Sequence, residues 1–436
     1  MSGARGSSLA QDFPAAKDPV ASPAPVVTVL RGHFAAHWAA LDATAKSNLL
    51  GIPGGLPLVG PSPDGNPVKR AVTFLHRSPE ATAVVLSANA LVNHRNVGAS
   101  EFEKVDASGL WALTLLMPAD WECGYRITTH QGAGTAPWQA STDRRTIRMA
   151  ADAGAPDPLN PLLGAGMNGG ALSVLRLPGA PAAPWLAPAV TNRSAGSPAM
   201  GGSQRADAAG TRSSAGLEGL TLRDSLSGRL RTVWVYSPPV GTRDGDTPLL
   251  LLHDGQVWAK YLNLKDTLDA AIRSSIVPAL HVAMIDSLDS ETRSDELSGP
   301  TGTVDFVAND LLPVLRERLP VRGDAAGTIV SGASYGGLAS LWQVARYPQL
   351  VGVALAQSPS LWRYDLSQPL EKVLDRVVLR LQAGIYESDI HQTSQELFNQ
   401  LAPLGADISL SAVTGGHDWT WWNPWLIHGL RELLQS

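Results

Sequence analysis

The sequence predicts a two-domain chain in which a β-sandwich precedes an α/β domain with a mainly parallel sheet. The chain has 436 residues, which exceeds the usual size of a single hydrophobic core. Between residues 69 and 149, short strand-like runs alternate with turns, a pattern typical of a sandwich. From residue 217 onward, strand-like and helix-like segments alternate, which indicates a parallel sheet covered by helices.

The part of the chain before residue 217 divides into three by composition. Residues 1–25 are rich in Ala, Ser and Pro and are predicted to be disordered. Residues 26–150 are assigned to the sandwich domain, with a short helical stretch at 35–50 and strand-like runs at 72–75, 83–86, 111–116 and 125–127. Residues 151–216 are dense in Ala, Gly, Pro and Ser and are predicted to be a linker, most flexible at 191–216.

Residues 217–436 are assigned to the α/β domain. Its first two strand-like runs, 220–223 and 232–236, are close in sequence and predict an antiparallel hairpin at the edge of the sheet. The later strands are separated mostly by helical segments and are predicted at 249–252, 281–285, 328–331, 351–355, 377–381 and 408–413.

Charge and cysteine content exclude several classes of function. The formal net charge is −5 and no basic tail is present, so neither nucleic acid nor a membrane surface is expected as a partner. Cys123 is the one cysteine, which excludes an intrachain disulfide and a thiolate metal cluster, and we expect it to pack in a strand. The N-terminus lacks the apolar segment of a secretory signal, and no apolar run reaches membrane-spanning length, so a cytoplasmic location is predicted.

The segment around Ser334 reads G-x-S-x-G, from Gly332 to Gly336. A β-branched run at 328–330 precedes it, and an apolar stripe at helical spacing follows it. A serine between a strand and a helix has the context of a nucleophile elbow. A glycine-rich turn with an incidental serine would give the same five letters, so the choice depends on whether a base, an acid and an oxyanion site follow.

A histidine base is expected after Ser334 in the chain, because the α/β-hydrolase order is serine, acid, histidine. Three histidines follow. His391 lies at a predicted helix start and His428 lies within the last helix, whereas His417 stands in "TGGHDWTWW", directly after the last predicted strand. His417 is therefore the predicted base.

The acid is expected after the preceding strand, where the chain reads "LQAGIYESDI". Glu387 and Asp389 both qualify, and Glu387 is preferred. Asp418, next to the histidine, is predicted to hold the loop. The two oxyanion donors are predicted to be the backbone N–H groups of Tyr335, directly after the serine, and of Gln256, in the loop after "LLLL".

Four segments together resemble the active-site segments of bacterial enterochelin (enterobactin) esterases: "LLHDGQVW", "SGASYGG", "LQAGIYES" and "TGGHDWTWW". "RSDEL", "DPLNP" and "ALSVLRLPGAPAAPW" are also similar to segments of that family, and the resemblance covers about residues 69–435. It implies an immunoglobulin-like β domain followed by an esterase-D-type α/β-hydrolase domain. It also implies that Ser334 is the nucleophile, His417 the base and Glu387 the third member of a triad.

The resemblance implies hydrolysis of the trilactone esters of a ferric catecholate siderophore such as enterobactin, so that iron is released inside the cell. No cofactor is expected, since the iron belongs to the substrate. Such a substrate is trianionic and aromatic, so cations and aromatic rings should line the cleft. The predicted binding residues are Arg293, Trp258, Trp362, Arg363 and Arg77.

Two other functions remain open from the residues. A carboxylesterase of the same fold could act on acylated carbohydrate or another small ester, with the β domain as a sugar-binding module. A hydrolase fold could also serve as a non-catalytic binding protein. The "DPLNP" and "RSDEL" segments disfavour the first alternative, and the complete set of predicted catalytic residues disfavours the second.

Overall fold

The computed structural model describes residues 27–50, 57–91, 97–187, 216–239 and 245–435. The predicted disorder of residues 1–25 lies outside these ranges, and so does the predicted flexible segment at 191–216 apart from its last residue. Within them, no helix combines the length and the apolar character needed to cross a membrane.

The N-terminal domain is built from two antiparallel sheets that face each other. The first sheet comprises β1 (Thr28–Val29), β2 (Leu58–Pro61), β3 (Lys69–Arg77), β5 (Glu103–Lys104) and β6 (Leu110–Pro118), and the second comprises β4 (Ala81–Ala88), β7 (Glu122–Gln131), β8 (Leu163–Ala165) and β9 (Ala171–Arg176). Side chains from both sheets, among them Phe74, Leu86 and Tyr125, meet in one buried cluster. The predicted sandwich is confirmed, and its helices are α1 (His33–Ala40), α2 (Ala43–Leu50) and α3 (Arg144–Ala151).

The linker prediction requires a correction, because β8 and β9 lie within residues 151–216 and belong to the sandwich. The "DPLNP" segment precedes these two strands and is held to the sandwich by side-chain hydrogen bonds. The Tyr125 hydroxyl donates to Asp157 Oδ2 (2.9 Å), while Asn160 Nδ2 donates to Val174 O (2.8 Å). The small residues that suggested a linker are needed for close packing here, since a Cβ on Gly164 would lie 2.9 Å from Val174 Cγ2.

Within the described ranges, eight strands form the sheet of the second domain: β10 (Glu218–Arg223), β11 (Leu230–Tyr236), β12 (Leu249–Leu252), β13 (His281–Ile285), β14 (Thr328–Ala333), β15 (Val353–Gln357), β16 (Val378–Gly384) and β17 (Asp407–Val413). Their order in the sheet is β10-β11-β13-β12-β14-β15-β16-β17. The predicted edge hairpin is confirmed, because β10 pairs antiparallel with β11, and from β13 to β17 every neighbouring pair is parallel.

Helices cover both faces of this sheet. Alternate residues of β12 show the arrangement, since Leu249 and Leu251 pack into one apolar cluster while Leu250 and Leu252 pack into the other. The predicted mainly parallel α/β domain is therefore confirmed. The helices are α4 (Gly255–Lys260), α5 (Leu264–Arg273), α6 (Ser290–Ser298), α7 (Thr303–Phe306), α8 (Leu312–Arg318), α9 (Tyr335–Arg346), α10 (Ser367–Glu371), α11 (Asp389–Leu401) and α12 (Trp419–Gln435).

Candidate active site

The carboxyl edge of the parallel sheet carries a row of strained backbone positions. Non-glycine residues rarely adopt positive φ, and they do so mainly where function or surrounding structure holds them. Here one such residue follows each of five parallel strands, β12 to β16: Asp254 (φ 58°), Leu288 (63°), Ser334 (62°), Ser358 (42°) and Ser388 (52°). In open parallel sheets, ligands bind at this edge. The row therefore marks the candidate active site.

Ser334 stands in the turn between β14 and α9, with φ 62° and ψ −118°. Its N–H donates to Gln357 O (2.9 Å), and its Oγ lies 3.4 Å from the hydroxyl of Ser360. A Cβ on Gly332 would lie 2.7 Å from the carbonyl carbon of Gly336, so the turn can close only with glycine there. The strand before Ser334 is buried while Ser334 itself is partly exposed, which gives the geometry of a nucleophile elbow.

His417 and Glu387 form a hydrogen-bonded pair beside this edge. Nδ1 of His417 lies 2.8 Å from Oε1 of Glu387, whose side chain is buried, and the second carboxylate oxygen accepts the N–H of Gly384 (2.7 Å). The carboxylate holds the proton of the imidazole on Nδ1 and leaves Nε2 free to accept another. Trp422 packs edge-on against the imidazole, with ring centroids 4.7 Å apart, and limits its rotation.

The other carboxylates near the histidine are held elsewhere. Asp389 opens α11 and accepts a hydrogen bond from Ser388, so Glu387 is the carboxylate that the fold places on His417. Asp418 accepts the N–H groups of Gly124 (2.6 Å) and Thr420 (2.9 Å), which matches its predicted task of holding the loop. Burial raises the pKa of Asp418.

The two predicted oxyanion donors open helices at adjacent strand ends. Tyr335 is the first residue of α9 and Gln256 the second of α4, and N–H groups in a first helical turn have no intrahelical acceptor. Strands β12 and β14 are neighbours in the sheet. The Gln256 side chain is tied to Ser287, donating to its hydroxyl (2.6 Å) and accepting its N–H (3.1 Å). A Cβ on Gly255 would lie 2.2 Å from the Met284 carbonyl carbon, so this close approach requires glycine.

Arg293 was predicted to bind substrate, but the structure gives its guanidinium another partner. Its Nε and Nη2 donate to the two oxygens of Asp254, at 2.6 and 2.7 Å, and Asp254 is fully buried. Asp254 directly precedes α4, and Arg293 lies over the ring of Tyr335, 5.7 Å from its centroid. Arg293 thus joins the two oxyanion segments. Sequence reasoning missed Asp254, although its place after a central strand was a usable signal.

Two further predicted binding residues are not at the site. Trp258 is fully buried, donates to His253 O (3.1 Å) and packs edge-on against Trp419, so it is a core residue. Arg77 is the last residue of β3 and pairs with Leu110, the first residue of β6. The opposite end of this strand pair leads into the turn at 119–121, which contacts the second domain. Roughly 25 Å of strand separates the two ends.

The loop after β15 supplies the remaining predicted residues. The ring of Trp362 is partly exposed and its centroid lies 6.1 Å from that of Tyr335, the residue after Ser334. Arg363 is exposed and its N–H donates to Ser360 O (3.0 Å). These two side chains therefore lie on the loop that borders Ser334.

Comparison with known proteins covers both domains. A family model described as putative esterase matches residues 225–433, and one described as enterochelin esterase, N-terminal, matches residues 71–186. The iron(III) salmochelin esterase of Escherichia coli O6:H1 (strain CFT073) is 28% identical over 405 residues, covering 87% of this chain and 91% of that protein. The iron(III) enterobactin esterase of Dickeya dadantii (strain 3937) is 27% identical over 418 residues, covering 87% and 90%.

Solved structures share the whole two-domain fold. The crystal structure of ferric enterobactin esterase from Salmonella typhimurium superposes with a TM-score of 0.70 at 24% identity, covering 86% of this chain and 96% of that one. The Shigella flexneri enterobactin esterase, crystallised in the presence of enterobactin, gives a TM-score of 0.68 at 24% identity, covering 91% and 99%. At this identity the likeness shows the fold.

Proposed function

The chain belongs to the enterochelin esterase family, and on that premise we propose that it is a serine esterase acting on the trilactone esters of a ferric catecholate siderophore such as enterobactin. The observation that carries the chemistry is the buried Glu387 carboxylate on Nδ1 of His417, at the same edge of the parallel sheet as a serine in an elbow turn. The substrate class follows from the relatives, whose names specify iron(III) enterobactin and iron(III) salmochelin.

Each group of the site has a step in the reaction. Ser334 Oγ attacks the ester carbonyl carbon while Nε2 of His417 accepts its proton, and Glu387 stabilises the resulting imidazolium. The backbone N–H groups of Tyr335 and Gln256 stabilise the oxyanion. The imidazolium then protonates the departing alkoxide, and Ser334 remains acylated. Water attacks that ester in turn, with His417 as base, and the free acid departs.

The loop bearing Trp362 and Arg363 suits an aromatic, anionic substrate. An indole ring can stack on a catechol, and a guanidinium can pair with its charge or stack on its face. Both side chains are at least partly exposed beside Tyr335. In this proposal the iron enters as part of the substrate, no resident cofactor takes part, and hydrolysis releases the metal in the cytoplasm.

A panel of esters tests the proposal. The panel comprises ferric enterobactin, the iron-free trilactone, acetylated and feruloylated sugars, and a short nitrophenyl ester, with Ser334→Ala as the control for background hydrolysis. We expect the enzyme to hydrolyse the trilactone, and chromatography of the linear products measures this turnover. Turnover of the sugar esters without the trilactone would instead place the enzyme among carbohydrate esterases.

A further inference from the structure

The loop that carries the catalytic histidine, residues 414–418, packs against the β domain. Thr414 Oγ1 donates to Asp120 Oδ2 (2.9 Å) at one end of the loop, and at the other end the Gly124 N–H donates to Asp418 Oδ2 (2.6 Å). Asp120 and Gly124 flank the start of β7. The first domain therefore holds both ends of the loop that positions the base.

Asn89 binds the histidine itself. Its Nδ2 donates to His417 O (2.8 Å), and its Oδ1 accepts the His417 N–H (3.0 Å). The side chain thus engages both peptide groups that flank the His417 Cα, across 328 positions of sequence. Because both peptide groups are held, the backbone at His417 cannot rotate freely. The direction in which the imidazole points is therefore restricted as well.

The contact at this point is too close for a side chain on the loop. A Cβ on Gly416 would lie 2.5 Å from Ala90 Cβ and 2.6 Å from Asn89 Oδ1. Ala90 itself has φ 61°, a strained value for alanine, and lies two residues after the end of the strand at Ala88. Both surfaces are therefore shaped for this contact. Two exposed loops that met by chance would need neither a glycine nor a strained alanine at the point of contact.

The loop of the acid is braced from the same domain. Trp121 stacks on Tyr386, with ring centroids 4.5 Å apart and an interplanar angle of 23°. Tyr386 directly precedes Glu387, and its N–H donates to Gly415 O (3.2 Å) in the histidine loop. The base and the acid thus rest on one surface of the β domain.

We propose that Asn89 is a positioning residue for His417, so that the β domain takes part in the hydrolysis of every ester, large or small; this rests on the esterase function proposed above. Asn89 is exposed, so its two hydrogen bonds contribute little to global stability, and their effect is on the histidine's alignment. A β domain that only walled the substrate cleft would affect large substrates alone.

Asn89→Asp is the primary test, because it keeps the side-chain size and the acceptor for the His417 N–H. It removes the donor to His417 O and sets a carboxylate against that carbonyl. The matched control is Asn66→Asp, in the same domain, where the asparagine accepts the local N–H of Val68 (3.0 Å). Gly416→Ala disturbs the same contact from the second domain.

We expect Asn89→Asp and Gly416→Ala to lower kcat by about 10- to 100-fold on a nitrophenyl ester and on ferric enterobactin alike, because catalysis is steep in alignment. KM for ferric enterobactin should stay near the wild-type value. The acid limb of the kcat/KM profile should move to higher pH in Asn89→Asp than in the wild type, because the substitution adds a negative charge next to the backbone of the base. Asn66→Asp should match the wild type in all three measurements.

Labelling of Ser334 by a fluorophosphonate separates this proposal from the substrate assignment, because it needs the activated serine and no siderophore. Wild-type labelling without trilactone turnover would refute the substrate, and slower labelling of Asn89→Asp would still support the positioning role. Wild-type kcat and labelling rates in a folded Asn89→Asp would overturn that role. A loss confined to KM for ferric enterobactin would overturn it as well.

Discussion

Replacing Glu387 by glutamine should remove most of the activity and leave the fold intact. The carboxylate makes two hydrogen bonds, one to the imidazole Nδ1 of His417 and one to the N–H of Gly384, and both partners are donors. A glutamine side chain has one carbonyl oxygen and one NH2 group. It can therefore satisfy only one of these donors at a time.

The size of the effect follows from the two orientations of the amide. With its NH2 toward His417, the imidazole must accept on Nδ1 and carry its proton on Nε2, so it cannot act as a base. With its NH2 toward Gly384, two buried donors face each other, which costs about 1–3 kcal/mol, or about 5- to 150-fold in population. Loss of the charged hydrogen bond to the imidazolium removes about another 10- to 100-fold. We expect kcat to fall by about 10²- to 10⁴-fold.

Steady-state hydrolysis of a nitrophenyl ester and of ferric enterobactin measures this loss, with thermal unfolding as the check on folding. Asp389→Asn is the matched control, because it makes the same chemical change two residues away, where the carboxylate accepts from Ser388. Its kcat should stay close to the wild type. Near-normal turnover by Glu387→Gln, or a greater loss in Asp389→Asn, would refute the assignment of Glu387 as the acid.

Three further predictions concern the nucleophile, the oxyanion segments and the domain interface. Ser334→Ala should abolish ester hydrolysis while ferric enterobactin still binds, as measured by fluorescence quenching, and residual wild-type turnover would remove Ser334 from the mechanism. Arg293→Lys should lower kcat on small and large esters alike, because lysine cannot pair bidentately with Asp254; a loss on the charged siderophore alone would return Arg293 to direct substrate binding. Burial raises the pKa of Glu122 from 4.5 to about 7, against the opposing charge of Arg176, so the folded state holds this proton more tightly than the unfolded state does. The stability that this bound proton contributes is present below about pH 4.5 and is lost as the pH rises through about 7. Glutamine does not titrate, so the stability of Glu122→Gln should rise relative to that of the wild type from pH 5 to pH 8, by up to about 3 kcal/mol. A stability difference in thermal unfolding that does not change with pH would contradict this prediction.

Much of the fold and the outline of the site were predictable because they depend on local order along the chain. Apolar periodicity marks strands such as Leu249–Leu252, whose residues alternate between two cores. In a parallel α/β sheet, loops that follow successive strands meet at one edge, so chain order alone predicts that Ser334, Glu387 and His417 come together. The structure places these three segments at that edge, with Glu387 rather than Asp389 on the histidine.

Sequence analysis missed interactions that depend on partners which the local sequence does not specify. Trp258 has the composition of a binding residue, but its position on the inner side of α4 buries it against Trp419. Arg293 carries a charge suited to an anionic substrate, but Asp254 already neutralises it. The linker prediction relied on small residues, which a flexible segment and a tightly packed strand pair both favour.

Sequence patterns alone predict the two-domain architecture, the elbow at Ser334 and the chain order of acid and base, because periodicity and strand–turn–helix context are local properties of the chain. The side chains that hold those groups in place depend instead on contacts between distant parts of the fold. Asn89 and His417 lie 328 positions apart, and their contact exists because one domain docks on the other. Docking depends on the shapes of two finished surfaces, and neither surface forms until its own domain has folded.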